Sequence, residues 1–574
     1  MRASEADKPG PDAGRTAVAP GTAGGGQPAV SGQAPRPAVQ GLLALALYLA
    51  VFIAAYAFPL LRHPGLPRVG QAVVDPNFYV WSWRWWPYAI SHGLNPLYSH
   101  QIGAPAGYDL AWTTSTPAVA VILSPVTAAF GPITSFNLTL VLGAPVSAWA
   151  AFLAARRLTG NFWAALVAGA VYGFSWYEVA ETGAGHPNLS VILLLPLMLY
   201  LALLWRDGEL GSRAFVALLA VAMAAEFYIY DETFAELTVL AAAALLIGYA
   251  VARPVDRPAI ARLARLAGIA YVLAIVLASP YLIYALQHSP GQFTKVQPAF
   301  SLNLEKLVDP PSGILLLVIV LALAALTWSS RLTRLLVILF VLIIALAAGP
   351  TLMIGARQIG SLPWARLWYL PIVRSAEPLR LMIFANLVLA FIVALWLAAP
   401  TKSRLLLASR WILGLAAVAA IVVNVPVASR GNVIPASVRS AAIRSAGVRP
   451  ADALPAFIRS GRYRGYLRPG EIVVVVSDRG NAGMLFQADT NFYFRIAGGF
   501  VNRSLSTVTG LPAPVAALKN PTPAREQQFR AYVHQAGVGA ILVERAWSAP
   551  WMRIFSRMGL HGTQVGGVIV YLTG

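Results

Sequence analysis

Four short stretches carry the residue types that acid–base and charge-assisted chemistry require. "VVDPNFYVWSWRWWPY" sets Asp75 ahead of a dense aromatic run, "ETGAGHPNLS" holds Glu181 and His186, "EFYIYDETFAEL" holds Glu226, Asp231, Glu232 and Glu236, and "IVRSAEPLRLMIF" holds Arg374, Glu377 and Arg380. A carboxylate within reach of a hydroxyl can take its proton, and guanidinium groups can neutralise a phosphate that leaves as an anion. Lys295, in a long loop, is a further cation. Each residue also has an ordinary structural role. Asp75 before Pro76 suits the start of a helix, where a carboxylate accepts from free N–H groups and is favoured by the dipole. His186 suits a cap, Glu226 and Glu236 an internal pair, and the arginines a reach toward the membrane surface. What sets the four stretches apart is position, because each lies at the same side of an apolar run once the topology is drawn.

Of 574 residues, 58% are hydrophobic and 11% are charged, which excludes a soluble core for most of the chain and implies a polytopic α-helical membrane protein. Apolar runs recur at 41–61, 133–155, 161–177, 187–205, 213–230, 233–252, 263–285, 312–329, 332–348, 379–399 and 404–428, about eleven spans. Lys and Arg fall in alternate loops: Arg156 with Arg157, Arg206 with Arg213, Arg253 to Arg265, Arg331 with Arg334, and Lys402 to Arg410. Those loops are cytoplasmic by the positive-inside rule. The loops at 62–113, 178–186, 286–311 and 349–378 then face outward, together with everything after 428. Parity makes segment 114–130 dip into the outer interface and return.

Residues 1–40, rich in Gly, Ala and Pro, read as a disordered cytoplasmic tail, and 41–428 as the transmembrane domain. From 436 to 574 short alternating strands such as "EIVVVVSD" and "VGGVIVYLTG" predict an external, periplasmic α/β domain. From residue 429 onward there are 17 Lys and Arg against 6 Asp and Glu, which suits anionic head groups or a simply solvated surface. No nucleic-acid module is present, so nucleic acid is excluded as a partner. The absence of cysteine excludes disulfides and thiolate metal sites. Seven aromatics between Phe78 and Tyr88 predict a helix lying along the membrane–water boundary, and an Asp beside such an apolar surface is expected to be partly desolvated.

Beyond these features the chain resembles the GT-C superfamily of integral-membrane glycosyltransferases, which use polyprenyl-phosphate-linked sugars. The likeness covers most of the chain: one span, a long outer first loop with an Asp, further spans, and an outer C-terminal domain. Within it "HGLNPLY" (92–98), "APAGYDLAW" (104–112), "VYGFSWY" (171–177), "GHPNLS" and "YDETFA" are similar to a branch of bacterial envelope proteins usually placed in that superfamily. The resemblance implies that Asp75 is the general base and that transfer inverts the anomeric carbon. It further implies that Arg374 and Arg380, with Lys295, meet the lipid phosphate, and that His186 and Glu232 bind sugar hydroxyls or a divalent cation. No metal site is assigned. Many relatives carry a second acidic residue beside the first, whereas here Pro76 follows. The implied partners are a polyprenyl-phosphate-linked sugar donor, a glycan or lipid acceptor, and the lipids of a bacterial inner membrane. Two alternatives are a transporter or flippase of lipid-linked glycans and a non-catalytic envelope assembly factor. No inverted repeat is visible and the polar groups gather at one face rather than the midplane, which favours transfer over transport.

Overall fold

The computed structural model describes residues 37–57, 75–289, 301–307, 311–355, 357–367, 369, 376–428, 454–477, 481–499, 511–545 and 548–573. Most of the expected tail, the expected domain boundary at 436, and the cations Lys295 and Arg374 lie outside them. Among the described residues, eight helices are long and apolar enough to cross a membrane: Ala38–Ala55, Pro132–Thr159, Pro187–Arg206, Ser212–Ile229, Asp231–Val251, Arg257–Gln287, Pro378–Ala398 and Arg404–Ile421. The other three apolar runs form shorter helices, Phe162–Gly173, Pro311–Thr327 and Arg331–Ala347. All eleven runs therefore become helices, but only eight reach that length. Segment 114–130 breaks into Pro117–Ile122 and Ser124–Phe130, each roughly 10 Å long at ~1.5 Å per residue and too short to cross.

Small residues set the packing that leads to the polar groups. Gly169 and Gly173, four apart on one helix, face Ala144 and Ala148 on the Pro132–Thr159 helix. A Cβ on Gly173 would lie 2.5 Å from Ala144 O and 2.6 Å from Ala148 Cβ, and one on Gly169 would lie 2.5 Å from Ala148 O. Lipid gives apolar helices no hydrophobic reason to associate, so this close backbone approach supplies the van der Waals gain. Asn161 caps the second helix by accepting from Ala164 N at 3.1 Å. Beyond Gly173, the Ser175 hydroxyl accepts from Glu178 N at 3.2 Å and starts the helix Trp176–Ala184. Gly185, at φ 81°, ends that helix in the left-handed region and delivers His186.

The aromatic helix, Asp75–Ser91, is not a surface anchor. Phe78, Tyr79, Trp81, Trp83, Trp85 and Trp86 are all buried in protein. On one side the Tyr79 and Trp83 rings lie 6.5 and 6.0 Å from Phe136 of the bundle. On the other, Trp81 and Trp85 lie 5.8 and 5.7 Å from Phe492 of the C-terminal domain. An amphipathic ring with one polar tip suits a lipid–water boundary and a buried seam equally well; here protein atoms satisfy the tips of Tyr79, Trp81 and Trp85, while Trp83 and Trp86 Nε1 are buried without a partner among the described residues. Trp81 Nε1 donates to Gln487 Oε1 at 2.7 Å, and Gln487 Nε2 donates to Gln101 O at 2.7 Å and to Phe494 O at 2.9 Å.

The C-terminal domain is α/β. Two short ladders precede its sheet, β1 (Tyr98–Ser99) with β2 (Tyr108–Asp109) and β3 (Thr351–Ile354) with β4 (Arg357–Ser361). The five-stranded sheet comprises β5 (Ile472–Val476), β6 (Arg495–Ile496), β7 (Val538–Glu544), β8 (Gly562–Val565) and β9 (Val568–Leu572) in the order β6-β5-β7-β9-β8. β5 runs parallel to β6 and β7, and the other pairs are antiparallel. The first loop extends this sheet's edge: Ile496 N donates to Gln101 O at 2.9 Å and Ala104 N to Ile496 O at 3.0 Å. Helix, loop and distal domain thus form one packed unit at the end of the bundle that carries Asp75. At the opposite end of the Pro132–Thr159 helix, Arg157 pairs with Asp207 (2.6 Å) and Glu209 (2.7 Å).

Candidate functional site

Asp75 is the first residue of the buried aromatic helix. Its carboxylate Oδ2 lies 3.5 Å from His186 Nε2, and His186 Nδ1 lies 2.6 Å from Glu181 Oε2. The imidazole therefore sits between two carboxylates. Burial by itself opposes its charge, but Asp75 and Glu181 outweigh burial and push the His186 pKa up to about 10. At neutral pH it is an imidazolium, and both ring nitrogens donate. The Asp75 side chain is 51% exposed, so the desolvation expected of it is absent. A seat at the open tip of the helix leaves it in water, and the protonated ring holds it in place.

One turn along, the Tyr79 hydroxyl donates to Asn188 Oδ1 at 2.7 Å and lies 3.2 Å from Thr114 Oγ1, with its ring 6.5 Å from that of His186. Burial, with Asp75 next, holds this phenol well above its usual range, while Arg380 acts in the opposite sense. Tyr79 is thus a neutral hydroxyl that feels both charged groups of the site. Glu178, one turn before Glu181, is buried, and neither of its carboxylate oxygens has a partner among the described residues. Burial, with the Glu181 charge second, pushes its pKa well above the usual carboxylate range.

The second charged group is built on Arg380. Its Nη1 pairs with Glu232 Oε2, and its Nη2 lies 3.0 Å from Glu377 Oε2. Glu232 also accepts from the Tyr230 hydroxyl at 2.7 Å and from Glu377 N at 2.9 Å. The guanidinium stacks on the Tyr230 ring, 5.1 Å from its centroid. The sequence nominates Arg380 for phosphate and Glu232 for sugar or a cation, yet the two hold each other. His186 and Glu232, nominated together as possible cation ligands, belong to separate clusters. Among the described residues no group of three or more His, Cys, Asp or Glu is placed to hold a metal ion. Sequence reasoning passed over Tyr79, Asn188 and Thr114. Tyr79 was hidden in a run whose composition suits an anchor, and nothing in the sequence marks the other two.

Residues 44–313 match a family described as a domain of unknown function, DUF6311. No curated protein matches the sequence. Among solved structures, the arabinofuranosyltransferase AftD from Mycobacteria is similar over 94% of this chain at 16% identity, with a TM-score of 0.56. The chain spans 40% of that enzyme's length. The archaeal oligosaccharyltransferase AglB from Archaeoglobus fulgidus, in complex with an inhibitory peptide and a dolichol-phosphate, is similar over 93% of this chain and 74% of its own. Its identity is 10% and its TM-score 0.53. Both neighbours are GT-C glycosyltransferases. At these identities the likeness is one of fold, and the chain has the GT-C fold: a multi-pass membrane bundle with a C-terminal α/β domain.

Proposed function

We propose that this protein is a membrane glycosyltransferase that moves a sugar from a polyprenyl-phosphate carrier to a glycan or lipid acceptor of the bacterial envelope. In this reading the site opens on the outer face of the inner membrane, and the C-terminal domain lies outside with it. The observation that carries the proposal is the half-exposed Asp75 carboxylate, held by the His186 imidazolium at the open end of the bundle. The acceptor hydroxyl gives its proton to Asp75 as its oxygen bonds to the anomeric carbon. The bond from that carbon to the phosphate oxygen breaks with its electron pair, and polyprenyl phosphate leaves as an anion. Attack from the face opposite the leaving group inverts the anomeric carbon. Arg380, with Arg374 and Lys295 as further cations, is proposed to meet the phosphate, which then competes with Glu232 and Glu377 for the guanidinium. His186 orients Asp75, and Tyr79 ties that side of the site to the Thr114 loop. Mass spectrometry of envelope glycans from a deletion strain tests the reading. A missing sugar, restored by the wild-type chain and not by Asp75→Asn, supports it, and an unchanged glycan profile overturns it.

A further inference from the structure

The β3–β4 hairpin stands beside the Arg380 cluster and keeps apolar side chains exposed: Ile354 and Ile359 are 48% and 55% exposed, and Tyr369, just beyond it, 75%. Its base touches the turn that holds Arg380. A Cβ on Gly349 would lie 3.1 Å from Pro378 Cγ, and Pro378 opens the 3-10 turn Pro378–Leu381. We infer that this hairpin rests on the bilayer, in the head-group layer of the leaflet on the Arg380 side, with Ile354 and Ile359 reaching the acyl boundary. That seat sets the Arg380 cluster at the level of the lipid head groups, whatever reaction the site performs.

The hairpin is held firmly. Asn303 Nδ2 donates to Gly355 O at 2.7 Å, and Asn303 Oδ1 accepts from Gly355 N at 3.0 Å, so one side chain satisfies both polar groups of the turn residue. Ile354 and Arg357 are opposite each other in the ladder and project from the same face. The neighbouring helices are short. Pro311–Thr327 and Arg331–Ala347 have 17 residues each, roughly 26 Å at ~1.5 Å per residue against a hydrocarbon core of ~30 Å. Arg331 fixes the far end of the second by donating to Val251 O at 3.1 Å. Its near end therefore emerges at or short of the boundary, and β3 begins soon after, at Thr351. The apolar surface is also continuous with surface that faces lipid. The turn Leu304–Leu307 packs on both β3 and the Pro311–Thr327 helix, whose Ile314, Leu317, Val318 and Leu321 are exposed. Charge agrees with this placement: residues 349–369 contain Arg357 and Arg366, both exposed, and no Asp or Glu, which suits anionic head groups. The backbone sets the depth. The outer edge of β4 has no strand partner among the described residues, and unpaired N–H and C=O groups need the water that the head-group layer offers and the hydrocarbon does not.

Because the chain has no cysteine, a single introduced one reports alone. The test places a bimane label at Ile359→Cys of the full-length protein, in nanodiscs of mixed phosphatidylcholine and phosphatidylglycerol, with and without a phosphatidylcholine that carries a nitroxide high on its acyl chain. Gln527→Cys, exposed on the Pro523–Ala536 helix, is the water reference, and Leu246→Cys, exposed on the Asp231–Val251 span, is the lipid reference. All these side chains are exposed, so each labelled protein should melt as wild type does, and Ile354→Cys carries the same test should the Ile359 variant misfold. The label at Ile359 is expected to emit to the blue of the Gln527 label and to be quenched by the nitroxide about as strongly as the Leu246 label. Quenching no greater than at Gln527 overturns the placement. A blue shift without nitroxide quenching overturns it as well, since protein rather than lipid would then cover the hairpin.

Discussion

Trp81 and Gln487, 406 positions apart, are joined by a 2.7 Å hydrogen bond that pins the helix of Asp75 to the distal domain. Gln487 uses both ends of its amide here, since its Nε2 also serves Gln101 O and Phe494 O. Replacement by Leu keeps the volume and leaves Trp81 Nε1 and Phe494 O without partners, while Gln101 O keeps Ile496 N, which should cost about 2 kcal/mol or more. Thermal unfolding in detergent measures the cost, and limited proteolysis should release the C-terminal domain sooner. A Gln487→Leu protein with wild-type melting and cleavage would show that the seam does not depend on this residue.

Asp75→Asn separates base from cap. Asn caps a helix about as well as Asp, so folding and melting should hold. If Asp75 takes the acceptor proton, turnover should drop by roughly 10²-fold or more. A stable and fully active Asp75→Asn protein would remove the general-base assignment.

Stability should depend on pH through His186. Its folded pKa, about 10, lies above the ordinary ~6.5 of an unfolded histidine. The contribution is therefore complete below about pH 6.5 and is lost as pH rises through 10. Melting temperature should fall across that window, and His186→Gln should flatten the dependence. An identical slope in the variant would assign the loss to other groups.

Arg380 should show two effects of different origin. Arg380→Ala leaves Glu232 and Glu377 facing each other in a largely buried site and should destabilise by about 3 kcal/mol or more. Glu232→Gln also breaks the pair but keeps the guanidinium. If Arg380 meets the lipid phosphate, Glu232→Gln should retain donor binding while Arg380→Ala and, in part, Arg380→Lys lose it. Equal donor binding in all three variants would leave Arg380 a purely structural role.

The apolar runs were legible in the sequence because hydropathy reports burial in lipid residue by residue. The strands at 472–476 and 568–572 were legible for the same local reason. Partnership was not. Asp75, His186, Glu232 and Arg380 each stood out by charge beside an apolar run, but that Asp75 meets His186 while Glu232 meets Arg380 is decided by tertiary packing that no local pattern reports. The aromatic run was misread because composition cannot tell a ring that faces head groups from one that faces Phe492.

The distance in sequence between Trp81 and its partner has a meaning for biogenesis. At ~5–20 residues per second a ribosome needs roughly 20–80 s to move from one to the other. During that interval the rings that will meet Phe492 stand bare beside a half-inserted bundle, and whatever attends the nascent chain must shield them. A chain stopped before residue 487 is therefore material for quality control, its first loop still waiting for the surface it was made to meet.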